Sequence, residues 1–66
     1  MKKVNSSMIS EVGYKNSILT LVYKTGGTYN YHNVDKKIYN GLLKAESKGQ
    51  YIRQNILSKY SYTKIK

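Results

Sequence analysis

The chain has 66 residues, and twelve Lys and Arg against three Asp and Glu give it a formal charge of +9. A chain this short forms at most one domain, with roughly 3–5 kcal/mol of net stability. Because it lacks cysteine and any long apolar run, we expect no disulfide, no thiolate metal site, no signal peptide and no membrane span. We expect a soluble, cytoplasmic domain, either a monomer or a small homo-oligomer.

Alternating apolar residues predict three strands in the first half of the chain, at Ser7–Tyr14, Ser17–Lys24 and Tyr29–Val34. In the first strand the alternation places Met8, Val12 and Tyr14 on one face. The second is apolar on both faces, which is typical of a central strand. Turns are predicted at Lys15-Asn16 and at Gly26-Gly27, whose glycines allow the positive φ of a two-residue primed hairpin.

The second half has helical periodicity. Asp35 is a suitable N-cap for a helix from Lys36 to about Glu46, and its apolar arc consists of Ile38, Tyr39, Leu42, Leu43 and Ala45. Ser47 to Gln50 matches a capping box, so a second helix is predicted from Lys48, fraying after Ile56. Ser58–Lys66 would be an extended, partly mobile tail. The predicted fold of residues 1–66 is therefore α+β, with a three-stranded antiparallel meander followed by two helices and a C-terminal tail.

Nine short pieces of sequence occur in a fixed order along residues 5–65. They are Ser6-Ser7-Met8-Ile9, Val12-Gly13-Tyr14, Leu19-x-Leu21-x-Tyr23, Gly27-x-Tyr29-x-Tyr31, Val34, Leu42-Leu43-x-Ala45, Ser47-Lys48-Gly49-x-Tyr51, Ile56 and Tyr60-x-Tyr62. Their order resembles the KTSC domain family, which is named for its likeness to a C-terminal segment of some lysyl-tRNA synthetases. The resemblance implies a small β-meander-plus-helix module, often free-standing in bacteria and phages, and by analogy RNA binding.

The chain departs from that family at two positions. Lys15 stands where the family commonly has Asp, and Asp35 stands where it often has Pro. Asp35 can cap a helix as well as Pro can start one, so the predicted fold is unaffected. Lys15 adds positive charge at a loop.

Enzymatic chemistry is not expected, and we predict no catalytic residue, cofactor or metal. The acids are Glu11, Asp35 and Glu46, and a cap and a helix-end position account for the last two. His32 is the single histidine and lacks Cys or clustered acids as co-ligands, so a structural or solvated role is favoured. Gly26-Gly27 lacks the following helix that a phosphate-binding loop needs.

The positive charge favours a polyanionic partner. Its densest stripe lies opposite the apolar arc of the first predicted helix and consists of Lys36, Lys37, Asn40 and Lys44. The alternative is an ordinary solvated helix face, but such faces mix both signs of charge, and this one has no acid. Four further cations extend the same half of the chain: Lys48, Arg53, Lys59 and Lys64.

Tyrosines are the second candidate group for binding. Tyr29 and Tyr31, two residues apart on one strand, resemble a base-stacking platform. A core position is favoured over that role because the chain has few other large apolar residues. Tyr60 and Tyr62 are predicted to be partly exposed, where they would stack on bases or dock the tail onto the sheet.

The favoured function is a nucleic-acid-binding module, with RNA ahead of DNA, that contacts the backbone through Lys and Arg with little base specificity. The alternative is a phage or mobile-element interaction module that docks on an acidic protein of the bacterial host. Attachment to a membrane surface is disfavoured because Tyr39, Leu42 and Leu43 are needed for the core.

Overall fold

Two helices cover one face of a five-stranded antiparallel sheet in the computed structural model, which describes residues 1–66. The elements are β1 Lys2–Lys3, β2 Ile9–Lys15, β3 Ile18–Tyr23, β4 Thr28–Tyr31, α1 Lys36–Lys44, α2 Lys48–Asn55 and β5 Tyr62–Lys64. The strand order in the sheet is β1-β2-β3-β4-β5. The predicted α+β fold, the central position of β3 and the two helices are confirmed.

Two strands at the sheet edges were not predicted. In β1, Lys2 pairs with Val12, and β5 returns from the helices to pair with β4, with Tyr62 opposite Tyr31. The predicted extended tail differs in detail, because its residues Tyr62–Lys64 form a strand: the open edge of β4 offers N–H and C=O groups that the tail satisfies. Strands of two or three residues are too short for an alternation that the sequence could reveal.

The primed hairpin lies between β2 and β3. Asn16 and Ser17 have φ of 52° and 65°, and Lys15 pairs with Ile18, which leaves a two-residue loop. Positive φ at both central residues defines a type I′ turn. The turn was predicted one residue too early. The Ser17 carbonyl also accepts a hydrogen bond from the Val34 N–H at 2.8 Å, which ties the turn to the entry of α1.

Ser17→Gly is expected to stabilise the protein by about 0.5–1 kcal/mol, because glycine adopts a positive φ without the steric cost that serine bears. The measurement is the midpoint of urea unfolding. Ser58→Gly is the matched control, since Ser58 is exposed in a turn and its φ is not positive. A loss of stability in Ser17→Gly would show that the type I′ geometry is wrong.

The loop at Gly26-Gly27 is wider than predicted. Gly26 donates its N–H to the Tyr23 carbonyl at 3.1 Å, and the Tyr23 N–H donates to the Gly27 carbonyl at 3.0 Å. Both glycines have positive φ, of 107° and 96°. The loop therefore has three residues and ends in a glycine bulge, a common alternative to the two-residue primed turn.

A β-bulge changes which residues of β2 face the core. Ile9 pairs with Tyr23 but Glu11 pairs with Val22, so Ser10 is an extra residue. The bulge reverses the alternation, and both Ile9 and Val12 are fully buried. The predicted single parity of this strand was wrong for that reason.

Both helix starts are confirmed. The Asp35 carboxylate accepts the Lys37 N–H at 2.9 Å, and the Ser47 hydroxyl accepts the Gln50 N–H at 3.4 Å. α1 ends two residues earlier than predicted because Ala45 is extended, with φ −66° and ψ 135°. The predicted third strand also ends early, at Tyr31, since Asn33 turns the chain with φ 58°.

One hydrophobic cluster lies between the helices and the sheet. Its buried members are Ile9, Val12, Leu19, Leu21, Tyr31, Val34, Leu42, Ile52 and Ile56. Tyrosine hydroxyls at its border find partners: Tyr14 donates to the Val34 carbonyl at 2.6 Å, and Tyr51 donates to the Ile38 carbonyl at 3.0 Å. The other face of the sheet has no helix over it, and there Thr20 donates a hydrogen bond to the Asn30 amide oxygen at 2.6 Å.

Candidate nucleic-acid interface

The outward side of α1 carries four exposed polar residues, which we call the α1 basic face: Lys36, Lys37, Asn40 and Lys44. Burial of Leu42 fixes the rotation of the helix and leaves these positions in solvent. No acidic side chain occurs between Lys36 and Ala45, so nothing on the helix neutralises the three ammonium groups. The side chains predicted to form the basic stripe are together and free of core contacts.

The remaining predicted cations do not continue this face as one stripe. Lys48 is half-buried and donates a hydrogen bond from Nζ to the Ala45 carbonyl at 3.0 Å, so it caps the last turn of α1. Lys59 is exposed in the turn after α2, and Arg53 and Lys64 are exposed on α2 and β5. The structure thus separates Lys48, which has a structural role, from three exposed cations.

The tyrosine pair on β4 is mainly core. Tyr31 is 2% exposed, and Tyr29 is half-buried with its ring centroid 6.4 Å from that of Tyr31. Tyr31 also shares a hydroxyl–hydroxyl hydrogen bond of 2.7 Å with Tyr23. Tyr31 is therefore not an open stacking platform, and the core position that the sequence favoured is what the structure has.

Burial sets the ionisation of these hydroxyls. Desolvation raises the pKa of Tyr23 well above its usual range, and the hydrogen bond to Tyr31 raises it further. Desolvation also raises the pKa of Tyr31, and the hydrogen bond to Tyr23 opposes that rise. Both hydroxyls stay protonated at neutral pH and keep hydrogen-bonding to each other.

Tyr62 packs beside the Tyr29–Tyr31 pair, so that the rings form a cluster. It is 57% exposed on β5, and its ring centroid lies 5.4 Å from that of Tyr29 and 5.7 Å from that of Tyr31. Tyr23 meets Tyr29 edge-on at 5.4 Å. Tyr60 takes no part, because it is half-buried against the core. Of the two tail tyrosines, only Tyr62 presents an open ring.

These rings line a depression of about 440 Å³, here called the tyrosine cleft. Its lining residues are Met8, Tyr23, Thr25, Gly26, Tyr29, Tyr31, Leu57 and Tyr62. Leu57 is 43% exposed and forms its rim with Tyr62. The Lys64 ammonium lies 6.0 Å from the centre of the Tyr29 ring, at cation–π distance.

A second, polar cleft of about 600 Å³ adjoins the first and shares Met8, Tyr23 and Thr25 with it. Its remaining lining residues are Asn5, Ser6, Ser7, Glu46, Ser47, Lys48, Gly49 and Arg53. The two adjoining clefts together are called the groove. Arg53 lines its polar part, and Lys64 lies beside Tyr29 of its aromatic part.

The groove was not predicted from the sequence. It exists because β5 places Tyr62 beside β4 and because the turn after α2 directs Leu57 outward. Leu57 lies beyond the end of α2, where the helical period no longer determines which way a side chain faces. No three His, Cys, Asp or Glu side chains are grouped so that they could hold a metal ion. None of the helices is long and apolar enough to cross a membrane.

Comparisons with known proteins agree on the family. The KTSC domain model matches residues 5–60. A protein from Tsukamurella paurometabola is 39% identical over 54 residues, which cover 79% of this chain and 81% of that protein. The crystal structure of a KTSC domain protein from Yersinia pestis superposes with a TM-score of 0.95 at 31% identity, covering 98% of this chain and 94% of the other. The chain therefore belongs to the KTSC domain family.

Proposed function

We propose that this KTSC domain is a binding module for nucleic acid, not an enzyme, and that it holds the sugar–phosphate backbone through the α1 basic face. The observation that carries the proposal is the exposed, acid-free face of Lys36, Lys37 and Lys44. Even if all three acids of the chain were paired, nine positive charges would remain. A field of that sign on so small a body attracts polyanions.

The spacing of the face suits a phosphate backbone. Lys36, Asn40 and Lys44 lie one helical turn apart, so the face is about 12 Å long. That length equals the rise of roughly three to four nucleotides in one strand. Lysine ammonium groups on flexible stems bind phosphates as point charges and read no base, so we expect low sequence specificity. The likeness of the family to a segment of some lysyl-tRNA synthetases is the reason for placing RNA ahead of DNA.

Charge reversal on α1 tests the proposal. In Lys36→Glu/Lys44→Glu, affinity for RNA is expected to fall at least about 10-fold, because two phosphate contacts become repulsive. The measurement is fluorescence anisotropy with a labelled oligonucleotide at low salt. Circular dichroism checks the fold, which we expect to survive because both positions are exposed.

The matched control is Lys3→Glu/Lys15→Glu, which alters the net charge equally. Lys3 pairs with Glu11 and Lys15 with Ile18, on the face of the sheet away from the helices. The RNA affinity of this control variant is expected to fall only about two- to three-fold, because the overall positive field is weaker. Equal losses of RNA affinity in both variants would contradict a role for the α1 basic face. If the wild type bound no RNA at low salt, the proposed function itself would be wrong.

A second candidate is docking on an acidic protein of a bacterial host by a phage-encoded or mobile-element module. The observation that favours it is the exposed pair Leu57 and Tyr62 beside Lys64, since protein interfaces combine apolar cores with charged rims. Affinity for such a partner would persist at moderate salt, whereas backbone binding to nucleic acid would not.

A further inference from the structure

Two large apolar side chains of the tyrosine cleft are exposed, in a chain that has few such residues. Leu57 is 43% exposed and Tyr62 is 57% exposed, although a 66-residue domain needs its large apolar side chains for the core. The Tyr62 ring is not loose, because the rings of Tyr29 and Tyr31 lie within 6 Å of it, centre to centre. An aromatic ring that neighbouring rings hold in place while more than half of the side chain is exposed can serve as a stacking surface.

Two cations lie in the neighbourhood of this stacking surface. The Lys64 ammonium stands over the neighbouring Tyr29 ring, and Arg53 lies in the adjoining polar cleft. No acidic residue lines the tyrosine cleft, and Glu46 is the single acid of the whole groove. Exposed aromatic rings with cations nearby and no acid among them are complementary to an unpaired base and its phosphates.

We propose that the groove binds a single-stranded segment of nucleic acid, with one unpaired base stacked on Tyr62 in the tyrosine cleft and its flanking phosphates near Lys64 and Arg53. This inference rests on the proposed function, and it adds a preference for single strands. A duplex keeps its bases stacked on each other, so it can reach the α1 basic face but cannot fill the cleft. Sequence tolerance is expected, because every base has a flat face.

The experiment compares Tyr62→Ala with Ile65→Ala. Ile65 is 50% exposed, lies three residues along the same tail and does not line the cleft, so it controls for loss of an exposed apolar side chain. The probes are oligo-uridylate roughly ten nucleotides long and an RNA duplex of mixed sequence. Anisotropy at fixed low salt gives both affinities.

Tyr62→Ala is expected to weaken oligo-uridylate binding by about 5- to 150-fold, the loss of one stacked base. Its affinity for the duplex should not change, and Ile65→Ala should change neither. Leu57→Ala provides a second rim variant with the same expected direction. Because the chain has no tryptophan, its intrinsic fluorescence comes from tyrosine, and oligo-uridylate should quench it less in Tyr62→Ala than in the wild type.

Unchanged oligo-uridylate affinity in both rim variants would overturn the inference, while the proposed function would stand if the α1 charge reversals still weakened binding. Equal losses for oligo-uridylate and duplex would also overturn it. An oligo-glutamate peptide is the competing probe: if it binds more tightly than oligo-uridylate and depends on Tyr62, the groove is a protein-docking site and the inference is wrong.

Discussion

Leu42→Ala is expected to leave the protein largely unfolded. Leu42 is fully buried and attaches α1 to the sheet. Truncating a buried leucine costs about 2–5 kcal/mol, because apolar contacts are lost and a cavity remains. The net stability of a cysteine-free domain of this size is only roughly 3–5 kcal/mol, so the loss consumes most or all of it. Circular dichroism and urea unfolding measure the effect.

The control is Lys37→Ala on the same helix. Lys37 is exposed on the α1 basic face, so this change is expected to alter the free energy of unfolding by no more than about 0.5 kcal/mol. A small effect of Leu42→Ala would mean that α1 does not pack through this side chain. The orientation of the basic face, which depends on that packing, would then be wrong as well.

Gly41→Ala is expected to destabilise the protein by about 1–3 kcal/mol, although alanine is the better helix former by nearly 1 kcal/mol. A Cβ at Gly41 would meet the Tyr51 side chain, with its hydroxyl oxygen nearest and its Cζ at 2.9 Å. The ring cannot move away freely, because the Tyr51 hydroxyl donates a hydrogen bond to the Ile38 carbonyl at 3.0 Å. The close approach of α1 and α2 thus requires glycine at this position.

A double-mutant cycle with Tyr51→Phe identifies the cause. Removing the hydroxyl deletes the nearest atom, so Gly41→Ala should cost less in the Tyr51→Phe background than in the wild type. The measurement is again urea unfolding of the four proteins. Additive effects, or a gain of stability in Gly41→Ala alone, would contradict the helix–helix contact.

The features that local chemistry determines were predictable. Asp35 and Ser47 cap their helices because a side-chain oxygen two or three residues before an N–H needs no tertiary contact to reach it. The α1 basic face was predictable for a similar reason. A 3.6-residue period that buries Leu42 leaves Lys36 and Lys44 outside, whatever the helix packs on.

The features that strand pairing determines were not predictable. The bulge at Ser10 reverses the alternation of β2, and no residue type there signals it. Tyr62 acquires its place beside Tyr31 only because β5 pairs with β4 across a separation of about thirty residues. The tyrosine cleft depends on that pairing, so the sequence could name Tyr62 as exposed but could not assemble the cleft around it.

The salt dependence of nucleic-acid binding reports how many phosphates the chain contacts. We would measure the dissociation constant of the wild-type chain for oligo-uridylate over a series of salt concentrations. Three to six phosphate contacts predict that the logarithm of the association constant falls with the logarithm of salt at a slope of about −2 to −4. Lys36→Glu/Lys44→Glu should flatten that slope and Tyr62→Ala should leave it unchanged, because stacking releases no counterions. No binding at low salt, or an affinity that does not depend on salt, would show that the chain does not hold a phosphate backbone.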